Sequence, residues 1–337
     1  MLIFQITVVV TFIFLILGYS YMLITPALLI SYTPILNYAK QIVNSFFTML
    51  MIKGFKPNFK LAESKQDIKR LINENTDKVD IIVCNHISAF DLIIASYLKE
   101  FGIDSCNCIM KNEIVYTPGI GYILYANTDI KLNRNWEQDK ETLGKQLDNI
   151  KLNGKKQIIV IFPEGTRLTE QKLKEAQEFS KLNNLPVYEN LMVPKSKGLW
   201  FIVNKLSETN KLGRIWDVTL VFPKFLQKSM SYSDVFGEQI GDVNAIWREV
   251  ELDNNYKDPD AFKKWLLNLW ITKDSFMKYH EKIIYNQIYP ETNIKTSEKL
   301  IVIITLLVLF GLLFNKYGRY YLLGSFILSY ILILFKL

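Results

Sequence analysis

None of the first 39 residues is Asp, Glu, Lys or Arg, and this charge-free run constrains the chain more than any other feature. About 20 mostly apolar residues suffice to cross a bilayer core, and residues 2–24 meet that requirement before Pro26 interrupts them. The run is too long for a cleavable leader and lacks its basic start. A retained membrane anchor is therefore expected over residues 1–33. Residues 34–60 are expected to form an amphipathic interfacial helix and linker, because Leu36, Ile42, Phe46, Phe47, Leu50 and Met51 recur among Asn37, Lys40, Gln41 and Asn44. An ordinary core-facing helix would carry the same stripe. At the other end, residues 300–314 and 321–335 are uncharged apolar runs separated by 315–320. They predict a membrane hairpin within 291–337, built either as two thin spans or as a re-entrant pair. Lys53, Lys56 and Lys60 follow the N-terminal region and no basic side chain precedes it, which places the middle of the chain on the cytoplasmic side.

Between these ends, short apolar runs at 81–84, 106–110, 158–162 and 218–222 alternate with amphipathic ones at 90–101, 137–150 and 172–182. Strand and helix patterns in alternation predict an α/β fold, a mixed sheet flanked by helices, with membrane helices at both ends of the chain. The expected domain covers 61–290. Residues 228–256 break the rhythm as an insert, and helical spacing returns over 261–284 with Trp265, Leu266, Leu269 and Trp270. With 50% hydrophobic residues in 337, a sizeable core is affordable. The three cysteines are too few for a disulfide framework, and with only two histidines no structural metal site is expected. Cys106 and Cys108 share one strand face and read as packed thiols.

One histidine, His86, directly follows the apolar run 81–84, within NHISAFD, which ends in Asp91. Functional side chains in open α/β sheets collect at the carboxyl ends of strands. A neutral imidazole, with an ordinary pKa of ~6.5, can accept a hydroxyl proton near neutrality, and a carboxylate can hold its other nitrogen. Across a strand-to-helix turn, Asp91 can fold back to do so. A hydrogen-bonded core histidine followed by a helix-capping aspartate would give the same local pattern.

The second constellation, FPEGTR at 162–167, again ends a buried-looking strand. Pro163 and Gly165 favour a tight loop with converging amides, while Thr166 and Arg167 bring a hydroxyl and a planar cation suited to phosphate oxygens. Two roles are open to Glu164: accepting from a substrate hydroxyl or bracing Arg167. A capped turn with an exposed ion pair is the plainer alternative. GIGYIL lacks the third glycine of a dinucleotide loop, HEKII at His280 lacks the second histidine of a zinc-protease helix, and no GxSxG elbow is present.

NHISAFD followed by FPEGTR resembles the glycerolipid acyltransferase family, whose pattern is NHxxxxD and later FPEGT. The stretch 111–139 is similar to the family's second block, and the resemblance gives Arg134 a role in binding the acceptor phosphate with Glu164, Gly165, Thr166 and Arg167. VPKSKG at 193–198 resembles the fourth block, which associates Pro194 with the acyl donor. The resemblance runs from about residue 78 to 198. Residues 265–282 and the C-terminal apolar pair look like the branch acting on lysophosphatidic acid and lysophosphatidylinositol. Lys195 stands where that branch often has arginine, and Lys131 and Asn133 polarise a usually apolar stretch. The resemblance implies transfer of a fatty acyl group from acyl-CoA, as co-substrate and with no other cofactor, to a lysophospholipid hydroxyl. His86 would be the base and Asp91 its support. It further implies a bilayer as partner, no nucleic acid, and residence in the endoplasmic reticulum. The competing expectation is a catalytically inactive membrane lipid-binding or scaffold protein of the same fold.

Overall fold

The computed structural model describes residues 57–74, 76–88, 91, 93–98, 101, 103, 105–113, 130–133, 135–150, 152, 154, 156–222, 241–287, 307 and 311–335. The N-terminal anchor, the interfacial helix and Arg134 lie outside them. The chain divides into a larger unit, residues 55–109 and 134–290, and a smaller one, residues 1–54, 110–133 and 291–337.

In the larger unit, β1 (Pro57–Leu61) leads to α1 (Lys65–Asn73), β2 (Val79–Cys84), the short α2 (Ile93–Leu98) and β3 (Ser105–Lys111). After β4 (Ile130–Leu132), which belongs to the smaller unit, come α3 (Trp136–Asp148), β5 (Gln157–Ile161), α4 (Glu170–Leu182), α5 (Ser196–Glu208), β6 (Leu212–Val221), β7 (Gly241–Val250), α6 (Pro259–Tyr279) and β8 (Asn286–Gln287). The sheet order in the larger unit is β3-β5-β2-β6-β7-β1-β8. Pairing is parallel for β3–β5, β5–β2, β2–β6 and β1–β7 and antiparallel for β6–β7 and β1–β8. The mixed α/β sheet expected from alternation is thus present.

Two expected boundaries are corrected. Pro57–Leu61 is not linker: Phe59 and Leu61 are fully buried and the segment pairs with β7. Gly241–Val250 is not part of an insert but a strand bonded on both sides, to β6 and β1. Val243, Ala245 and Trp247 alternate toward the core, a period-2 pattern that the polar residues between them obscure in the sequence.

All six residues of β2 are buried, as suits a strand with parallel partners on both edges. In α5, Leu199, Ile202, Val203 and Leu206 form the buried stripe, and the helix packs against α3 and α6. Asp258 caps α6 by accepting from the Ala261 N–H at 2.7 Å. That helix delivers a charge into the core. The Lys273 ammonium, fully buried, lies 2.5 Å from Asp217 Oδ1 and donates to the Val218 carbonyl at 2.6 Å. Arg248 meets the other Asp217 oxygen.

In the smaller unit, residues 311–314 are helical, only Asn315 breaks the helix, and α7 (Lys316–Phe335) begins at once. The connection expected over 315–320 is therefore one residue, with 316–320 inside α7. Asn315 Oδ1 caps the new helix by accepting from the Tyr317 N–H at 2.9 Å. Gly318 sits where any Cβ would overlap the Leu312 backbone, so the reversal needs glycine there. No helix among the described residues is long and apolar enough to cross a membrane.

Removing one partner of a buried ion pair strands the other, at a cost of about 3–5 kcal/mol. Lys273→Met should lower unfolding free energy by that order in denaturant titration. A loss under about 1 kcal/mol would show that Arg248 alone satisfies Asp217.

Candidate active site

β2 and β5 lie side by side and parallel, with Val83 opposite Ile161. Adjacent parallel strands end on the same edge of the sheet, so the loops that follow them, 85–91 and 162–168, emerge together. On the other side of β2, the buried Asn85 amide imitates one more step of the ladder to β6. Its Nδ2 donates to the Leu220 carbonyl at 2.9 Å and its Oδ1 accepts from the Leu220 N–H at 2.8 Å.

His86 is held by both of its backbone groups. Its N–H donates to Glu164 Oε1 at 3.2 Å and its carbonyl accepts from the Leu168 N–H at 2.8 Å. The imidazole lies against the Phe162 ring, centroids 4.7 Å apart. Its Nδ1 is 2.6 Å from Asp91 Oδ2, which also accepts from the Ser88 N–H at 3.0 Å. A carboxylate can only accept, so it assigns the proton to Nδ1 and leaves Nε2 as the basic nitrogen. Asp91 is 1% exposed and the His86 side chain 24%. The dyad has a buried support and an accessible ring. Burial pushes the Asp91 carboxyl up from its ordinary range, opposed by the His86 ring and the Ser88 amide.

Glu164 is engaged by the backbone. It is buried, and its two oxygens accept from the N–H groups of His86 and, at 3.5 Å, Met192. It ties the two motif loops and the segment after α4 together, away from solvent. Burial pushes its pKa up to about 8, against the pull of those two amides.

The remainder of the second loop faces outward. Gly165 has φ +69° and its N–H closes the turn on the Phe162 carbonyl at 2.9 Å, a conformation that favours glycine. Thr166 Oγ1 accepts from Lys172 Nζ at 2.6 Å, and the same ammonium reaches the Arg167 carbonyl at 3.4 Å. Pro194 is buried beside this loop, because its neighbour Lys195 donates its N–H to the Pro163 carbonyl at 2.9 Å. The Lys195 side chain lies over Gly165, its Nζ 3.5 Å from the place of a Cβ.

His86, Asp91, Glu164, Gly165, Thr166, Arg167 and Pro194 are thus brought together, while Arg134 lies outside the described residues. Sequence patterns missed Lys172, which opens the helical run 172–182. The available signal was Thr169, whose side chain caps α4 by accepting from the Lys172 N–H at 3.2 Å, placing that lysine in the first turn beside the loop.

Residues 65–221 match the acyltransferase family model. The 1-acyl-sn-glycerol-3-phosphate acyltransferase 3 of Arabidopsis thaliana is 29% identical over 231 residues, 66% of this chain and 60% of the plant protein. The human 1-acyl-sn-glycerol-3-phosphate acyltransferase delta is 28% identical over 214 residues, 63% of this chain and 55% of that protein. The matched region spans between half and three-fifths of the curated relatives' length. A solved 1-acyl-sn-glycerophosphate acyltransferase from Thermotoga maritima superposes over 78% of this chain and 97% of that one, at 16% identity and a TM-score of 0.41. At that level the likeness carries no part of the assignment.

A carboxyl whose folded pKa is raised contributes stability that is fully present below its unfolded pKa and is lost as pH rises through the folded one. For Glu164 the window runs from about 4.5 to about 8. Melting temperature should therefore fall across that range, and Glu164→Gln should make the slope shallower even while lowering stability overall. An unchanged slope would remove Glu164 as the titrating group.

Proposed function

We propose that residues 65–221, an acyltransferase-family domain, move a fatty acyl group from acyl-CoA to a free hydroxyl of a lysophospholipid. The observation that carries this reading is the 2.6 Å contact between His86 Nδ1 and the buried Asp91, with the ring still partly exposed beside the FPEGTR loop. His86 Nε2 takes the proton of the acceptor hydroxyl as its oxygen attacks the thioester carbonyl. Asp91 stabilises the imidazolium that forms, as in a serine-protease triad. The tetrahedral intermediate collapses with rupture of the C–S bond, and the departing thiolate recovers the proton from the ring as free coenzyme A. The substrate's own oxygen is the nucleophile, so no acyl-enzyme is needed.

Thr166, Arg167 and Arg134 bind the acceptor's phosphate in this reading, and Pro194 belongs to the donor side. Gly165 shapes the loop. The names of the relatives, all 1-acyl-sn-glycerol-3-phosphate acyltransferases, support lysophosphatidic acid as acceptor, with lysophosphatidylinositol as the second candidate. The charge-free N-terminus supports attachment to a membrane, where both lipid substrates partition. We place the domain on the cytoplasmic face of the endoplasmic reticulum.

General-base removal typically costs about 10²–10⁴-fold in rate. His86→Ala should lower acyl transfer by at least that order with the melting temperature within a few degrees of wild type. Asp91→Asn should also be impaired, since an amide cannot stabilise the imidazolium. Full turnover by His86→Ala would remove the base from the mechanism. Wild-type protein that binds lysophospholipid but transfers nothing from acyl-CoA would favour the inactive lipid-binding alternative.

A further inference from the structure

Two cations stand at the second loop without a carboxylate partner among the described residues. Lys172 Nζ donates only to neutral oxygens, Thr166 Oγ1 at 2.6 Å and the Arg167 carbonyl at 3.4 Å. Lys195 stretches over Gly165 and forms no ion pair there. Their neighbour Lys174, two residues on from Lys172 in α4 and exposed, is instead tied to Glu170 at 3.1 Å. The carboxylate nearest in sequence to the loop, Glu164, is turned inward onto two backbone amides. Gly165 and Thr166 are therefore flanked by two ammonium groups, and a half-buried ammonium among neutral dipoles is best balanced when an anion arrives.

We propose that Lys172 and Lys195 are specificity-determining residues that select a terminal phosphomonoester on the acceptor over a phosphodiester-linked headgroup. The inference rests on the reading of this site as a lysophospholipid acyltransferase. A phosphomonoester carries about −1.5 to −2 charge at neutral pH and three terminal oxygens, whereas a diester carries a single charge and two free oxygens. A lysine acts as a point charge that needs no fixed geometry. Two ammonium groups suit the dianion, and a diester has less need of the second. At φ +69° a side chain in place of Gly165 would be strained, so the position beneath the Lys195 ammonium favours glycine.

The test uses purified full-length chain in mixed micelles with oleoyl-CoA and two acceptors, lysophosphatidic acid and lysophosphatidylinositol. Lys172→Met and Lys195→Met should each lower kcat/KM for the monoester about 10-fold or more, as expected for a lost charge-assisted contact. Both should leave the diester acceptor and the KM for oleoyl-CoA within about twofold. Lys174→Met, which removes the same charge from the same helix, should change nothing. Equal losses on both acceptors, or an equal loss in Lys174→Met, would overturn the proposal.

A second measurement needs no variant. Lysophosphatidic acid micelles should protect Lys172 and Lys195 of the wild-type protein from acetylation, read by mass spectrometry, and lysophosphatidylinositol micelles should not. Protection without turnover would sink the acyl-transfer reading and leave the phosphate site standing. Turnover without protection would sink the site and leave the reaction.

Discussion

The parallel pairing of β2 with β5 is the constraint on which the candidate site depends. Because Val83 and Ile161 are register partners, two loops whose first residues, Asn85 and Phe162, lie 77 positions apart in the chain leave the sheet at the same place. The second motif then becomes the scaffold of the first: Glu164 takes the His86 N–H and Leu168 donates to its carbonyl. A histidine anchored at both backbone groups has little freedom left except about its side-chain torsions. Asp91 and the Phe162 ring restrict those as well. The orientation of the imidazole is thus over-determined, which is what the proposed role as a base would require.

Charge at the site is separated by direction. Asp91 and Glu164 point inward and are buried, whereas Lys172 and Lys195 lie along the outer face of the loop. The inward carboxyls hold protein groups, and the outward cations are the ones the phosphate proposal uses. The buried Lys273, brought in by α6, supplies a countercharge beneath the strand ends through Asp217 and the Val218 carbonyl. It comes from beyond residue 221, where the family match ends, so the structural base of the site extends further along the chain than its recognisable motifs.

NHISAFD and FPEGTR were legible because each places reactive residue types directly after a buried strand, and strand burial is a local property of apolar runs. Most helices were legible for the same reason, as with α5, whose apolar residues recur at helical spacing. The strand at Gly241–Val250 was not, because the buried Ile246 interrupts the alternation of Val243, Ala245 and Trp247 with Asp242, Asn244 and Arg248. The role of Glu164 was not legible either. Whether a carboxylate in a tight loop faces solvent or turns inward is decided by the amides that surround it, and those of His86 and Met192 come from other segments.

By itself, the sequence determined the α/β class, the two loops that carry chemistry, the pairing of His86 with Asp91 five residues on, and the apolar character of both ends. These depend on neighbours within about ten residues, where composition and spacing govern the backbone. Only the tertiary structure decided which strands adjoin, that Glu164 holds the His86 backbone, and that Lys172 and Lys195 flank the second loop. Those contacts join residues far apart in the chain, 78 positions in the His86–Glu164 bond and 184 between the β1–β7 register partners Pro57 and Gly241. Hydrogen-bond partners at such a separation are chosen by sheet register, which no local pattern encodes.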